Sequence, residues 1–102
     1  MYKIVFIIGL LLVAFTVKAQ HNYKQIDSLS YDLYVKKEWK QLAHFGETIQ
    51  KENFNFYFLN LRLGIANYNL KSYSKAIAYF EKSLHNDSTS QVAIEYLFGV
   101  II

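Results

Sequence analysis

The stretch "RLGIANYNLKSYSKAIAYFEKSL", Arg62 to Leu84, decides the fold. Gly64 sits inside one apolar pattern of helical spacing, and Tyr73, Ala76, Ile77, Phe80 and Leu84 form a second pattern only a few residues later. Two such patterns separated by "KS", Lys71 and Ser72, predict two helices folded back on one another. A glycine inside a helix costs about 1 kcal/mol relative to alanine, so its presence predicts a close approach that offsets the cost. The expected crossing brings Gly64 against Ala76, with Tyr73 and Phe80 filling the space beside it.

Working outward, the chain from residue 20 onward contains no proline and no low-complexity linker, and its apolar residues recur three and four apart. That is the amphipathic helix signature. Breaks at Lys36 to Glu38, Lys51 to Asn55, Lys71 to Ser72 and His85 to Ser90 predict helices over 24–36, 39–51, 56–70, 73–85 and 90–102. Ser88 with Gln91 reads as a capping-box start for the last helix, and Asn22 with Gln25 as a weaker one for the first.

Sliding the sequence along itself until Leu29 falls on Leu63, and Leu63 on Leu97, aligns these helices without a gap. The same shift places Tyr34 on Tyr68, Lys37 on Lys71, Trp39 on Tyr73, Phe45 on Tyr79 and Glu47 on Glu81. A fixed period of this length marks stacked units that bury their apolar faces only against a neighbour. The chain divides into units at 23–56 and 57–90 and the first helix of a third at 91–102.

The second unit resembles the tetratricopeptide repeat family, whose unit is a helix-turn-helix of about 34 residues. Leu63, Gly64, Ala66, Tyr68, Tyr73, Ala76, Phe80, Leu84 and Asp87 carry the resemblance. Asn60, Asn67, Ser83 and Ser88 depart from it, where the family has a large aromatic, a tyrosine, an alanine and a proline. In the first unit Ser30 replaces the glycine, Leu42 takes the small alanine's place and Gly46 lies where Phe80 sits, which reads as a swap of volume between two contacts. In the third, Phe98 occupies the glycine's place and Gly99 follows it. The resemblance implies an all-α solenoid of two and a half hairpins that binds an extended peptide or partner helix on the face made by the first helix of each unit. Carried over, that face holds Asp27, Tyr31 and Tyr34 in the first unit and Leu61, Arg62, Ile65, Tyr68 and Asn69 in the second. The subset that grips a C-terminal carboxylate needs lysines and asparagines there, and Asp27 and Tyr31 do not supply them. Arg62, the only arginine, suits a carboxylate, while the plainer reading of it is a solvated or intrahelical charge.

The N-terminus, "MYKIVFIIGLLLVAFTVKAQ", has Lys3, an apolar run from Ile4 to Val17 and a small residue at Ala19, the layout of a secretory signal peptide over 1–19. The run falls short of the roughly 20 residues that cross a bilayer. An uncleaved helix tethering the repeats to a membrane is the alternative. With Lys3 and Lys18 removed, eleven basic residues become nine against eight acidic, and no Lys/Arg cluster remains for nucleic acid. Cysteine is absent, which excludes disulfides, thiolate metal sites and a lipidated cysteine. The expectation is an exported protein of bacterial type, periplasmic or associated with the outer membrane, touching membrane only through its signal segment or a missing downstream domain.

Chemistry is sparse. His44 and Glu47, three apart on one helix, could start a metal or acid–base site, but no third ligand accompanies them and solvated helix polarity is the plainer reading. No phosphate loop, nucleophile elbow or HExxH appears. The sequence therefore predicts no enzyme and no cofactor, and an unidentified protein or peptide as partner. Phe54, Phe56, Tyr57 and Phe58 read as packing between units before they read as a stacking surface. In "AIEYLFGVII", Leu97, Phe98, Val100, Ile101 and Ile102 leave little polar surface, so this segment is expected to be the front of an incomplete unit in a longer repeat protein, the alternative being that it pairs with another chain.

Overall fold

The computed structural model describes residues 22–101, the side chains of Val100 and Ile101 excepted. The expected signal segment lies outside them. Among the described residues five helices follow one another: α1 (Tyr23–Val35), α2 (Trp39–Gln50), α3 (Tyr57–Asn69), α4 (Tyr73–Asn86) and α5 (Gln91–Ile101). Among the described residues there is no strand. Each helix packs on the next, the α3–α4 pairing being the most extensive, and α1 also packs on α3.

The turns that close the two hairpins are built alike. Lys37 (φ 56°) and Lys71 (φ 63°) both adopt the left-handed conformation. In the first, the N–H of Lys37 donates to Tyr34 O and that of Glu38 to Leu33 O, both at 3.0 Å. In the second, Lys71 donates to Tyr68 O at 3.0 Å and Ser72 to Asn67 O at 2.8 Å. This is the Schellman arrangement, which satisfies the last carbonyls of a helix. Every donor and acceptor in one turn lies one repeat length from its counterpart in the other. The rings flanking the turns repeat too: Tyr34 meets Trp39 edge-on at 6.0 Å, and Tyr68 meets Tyr73 at 5.9 Å.

Two of the helix starts, those of α1 and α5, carry side-chain caps. Asn22 Oδ1 accepts from Gln25 N (2.9 Å) and Gln25 Oε1 accepts from Asn22 N (3.3 Å), the expected capping box. At α5 the cap is Ser90, whose Oγ accepts from Ala93 N at 3.2 Å, and not Ser88. The reason is local: the Asp87 carboxylate accepts the Thr89 amide (3.0 Å) and hydroxyl (2.6 Å), holding 87–89 as a turn and delaying the helix. These bonds also hold the Asp87 carboxyl below its usual pKa.

Ile26, Leu42, Ile49, Leu59, Leu63, Ala66 and Tyr79 form one core cluster drawn from α1 to α4. Ile65, Ala76 and Phe80 form a second, against which Tyr96 of α5 stacks on Phe80 at 4.9 Å. Phe80 is fully buried, a contribution of about 1.5–3 kcal/mol. A Cβ on Gly64 would fall 2.7 Å from two carbons of that ring, so the glycine is needed because Phe80 lies against the α3 backbone, closer than the expected Ala76. Tyr73 does not fill the space beside this contact as expected. As the first residue of α4 it leans on Tyr68 near the end of α3 and stays 46% exposed. At Gly46 the position of a Cβ is taken by Leu63 Cδ2, 2.5 Å away, so a side chain from α3 reaches into the volume that Phe80 supplies in the second hairpin.

The polar departures Asn60, Asn67 and Ser83 are all buried, and each is bonded: Asn67 Nδ2 donates to Leu63 O (2.8 Å) and Ser83 Oγ to Phe80 O (2.7 Å). Among the described residues no buried side-chain nitrogen or oxygen lacks a partner. Burial of these groups is therefore compensated.

Candidate partner-binding face

The face expected from the first helices of the units is built from α1 and α3, which pack side by side. Arg62 is its centre. Its Nη1 donates to Asp27 Oδ1 (2.7 Å), Asp27 O (3.1 Å) and Ser30 Oγ (3.0 Å). The guanidinium lies 5.2 Å from the Tyr31 ring centroid and 5.4 Å from that of Phe58. Its side chain is 11% exposed. Arg62 is therefore an inter-helix clamp between α1 and α3 and not a solvated charge. Sequence spacing carries no sign of this, because a contact between residues 35 apart in the chain depends on how two helices rotate against each other.

The structure brings Asp27, Tyr31 and Arg62 together at one end of the face. Tyr34, Leu61, Ile65 and Tyr68 gather in the second core cluster, where Ile65 is 6% exposed. Asn69 is exposed, its Nδ2 donating to Ile65 O at 2.8 Å. Tyr68 also meets Tyr96 at 5.2 Å, tying the face to α5. On this face Asp27, Tyr31, Phe58 and Asn69 are exposed, while Tyr34, Leu61 and Tyr68 are half-buried. Of the packing residues, Leu63, Gly64, Ala76 and Phe80 are buried and Leu84 is half-buried.

The Glu47 carboxylate turns to Lys75 on α4, 2.7 Å away, and that hydrogen bond with its charge lowers the Glu47 pKa. Among the described residues no three His, Cys, Asp or Glu side chains could jointly hold a metal ion, and no helix is long and apolar enough to cross a membrane. Burial pushes the phenols of Tyr79 and Tyr96 up, because it disfavours their charged form.

A polar link between hairpin and connector also escapes sequence spacing. Asn60 Nδ2 donates to Asn55 Oδ1 (2.6 Å) and Asn86 Oδ1 (2.7 Å), joining the 51–56 connector, α3 and α4. Asparagines so far apart in the chain form no motif, and only the hairpin geometry unites them.

Comparison with protein-family profiles, with curated proteins and with solved structures gives no match.

Proposed function

We propose that the chain is an exported helical-repeat protein of tetratricopeptide type, acting without catalysis as a platform for another protein or peptide. The observation that supports this most is the twice-built turn, in which every hydrogen bond recurs one repeat further along the chain. The recurrent edge-on ring pair beside each turn supports it independently. A stack of hairpins exposes a continuous face, which suits recognition. Tyr31 is 56% exposed and Phe58 55% exposed. These two rings are the aromatic anchors of that face, with Asp27 and Asn69 as its polar flanks.

Site-specific photo-crosslinking in the producing cell tests the reading. A photoreactive residue at Tyr31 or Asn69 is expected to give a discrete protein adduct, while one at the exposed Gln41 on α2 is not. Equal labelling at all three positions, or none, overturns the assignment of the face. Mass analysis of the exported product, with a mature start at Gln20, tests export.

A further inference from the structure

A cleft of about 330 Å³ opens between α2, the 51–56 connector, α3 and α4, and none of the residues of the α1–α3 face lines it. Its origin is legible. Position 46 carries no side chain where the corresponding position 80 carries a phenyl ring, and Leu63 takes up part of the difference. The floor is carbon from Ile49, Leu59 and Leu63, each 3% exposed or less.

The rim is amide. Asn60 is 3% exposed and both its amide hydrogens are committed, to Asn55 and Asn86. Among the described residues nothing donates to its Oδ1, and since no fully buried side-chain oxygen lacks a partner, this oxygen keeps some exposure and stands as a carbonyl acceptor at the wall of the cleft. Asn55 Oδ1 is likewise committed, leaving its Nδ2 as a donor at the same rim. One positioned acceptor beside one positioned donor is the complement of a peptide group, with its N–H and C=O. A sugar would instead need an open aromatic face. Here the Tyr79 ring is 7% exposed, with Lys82 Nζ 5.3 Å from its centroid, and Phe54 meets the Tyr23 ring at 4.9 Å with the planes 80° apart.

We propose that this cleft binds an extended peptide, seating one apolar side chain on Ile49, Leu59 and Leu63 and pairing one main-chain amide with Asn60 Oδ1 and Asn55 Nδ2. The site is separate from the face of Tyr31 and Asn69 and stands whether or not that face has a partner.

The test is a titration of the isotope-labelled full chain with acetyl-Ala-Leu-Ala-amide, acetyl-Ala-Gly-Ala-amide and methyl α-glucopyranoside, followed by nuclear magnetic resonance. The leucine peptide is expected to give saturable shifts of the Gly46 backbone amide and the Asn55 side-chain amide at up to about 20 mM. The glycine peptide should bind about tenfold more weakly, having no side chain for the floor. Asn55→Asp keeps the acceptor that holds Asn60 but loses the donor, and should weaken the leucine peptide by about tenfold, with the thermal midpoint checked to confirm folding. Absence of saturable shifts, equal response to the two peptides, a matching response to the glucoside, or unchanged affinity in the folded Asn55→Asp variant each overturns the proposal. A response at Tyr31 and Asn69 alone also overturns it, while leaving the α1–α3 reading in place.

Discussion

Replacing Arg62 by methionine tests whether one side chain clamps the two units. Methionine keeps most of the apolar stem and removes the guanidinium, so the loss reports the polar contacts. All three hydrogen bonds leave from Nη1, which has only two hydrogens, so they count as two shared bonds. The Asp27 side chain is 52% exposed. That exposure limits its ion-pair share to about 1 kcal/mol or less. The bonds to Asp27 O and Ser30 Oγ, made by a charged donor that is itself nearly buried, add about 1 kcal/mol more. Ser30 is not orphaned by the change, because its own hydroxyl still donates to Asp27 O at 3.1 Å. The expected cost is about 2 kcal/mol, or roughly 8 to 16 °C in the melting midpoint of a domain this size. Arg62→Lys presents a cation at the same point but loses the planar contact with Tyr31 and Phe58, and should cost about half as much. Far-ultraviolet circular dichroism on heating and in urea reads both. A midpoint for Arg62→Met within about 2 °C of the parent would refute the clamp.

The left-handed lysines predict a gain: Lys37→Gly and Lys71→Gly should each stabilise the fold by about 0.5–1 kcal/mol, read from urea midpoints, since glycine adopts positive φ without the steric cost. The glycines should part company. Gly64→Ala forces its Cβ into the Phe80 ring and should cost about 1–3 kcal/mol by thermal melting. Gly99→Ala has an open position for its Cβ and should gain up to about 1 kcal/mol in the same assay. Glu47 and Asp87 have lowered pKa values in the folded chain, so their contribution is present above the ordinary carboxylate range and is lost as pH falls through the folded values. Urea midpoints measured against pH should show that acid limb, and the Glu47→Gln, Asp87→Asn double variant should flatten it.

Five helices and their edges were legible in the sequence almost to the residue, because breaks such as Lys36 to Glu38 interrupt strong helical spacing. The repeat offset was legible for the same reason, and it reappears in the hydrogen bonds of Lys37 and Lys71. What spacing does not carry is rotation. Tyr73 and Ile65 lie on the same kind of apolar stripe, yet one end of α4 leaves Tyr73 half in water while the α3–α4 seam closes over Ile65. The Arg62 clamp and the Asn55–Asn60–Asn86 link depend on polar groups meeting across helices, which no local pattern encodes. Ser88 was a reasonable cap by composition and lost to Ser90 because Asp87 captured Thr89 first.

The sameness of the two hairpin turns bears on how such a molecule grows. A block copied in tandem at this length would begin and end at equivalent points of the helical path, so a duplication adds a hairpin without opening any bond in the existing turns. The connectors between hairpins carry no such constraint: Asn53 is left-handed (φ 62°), whereas its counterpart Asp87 is extended. The difference between hairpins is therefore concentrated in the connectors, and the asparagine-rimmed cleft lies beside one of them.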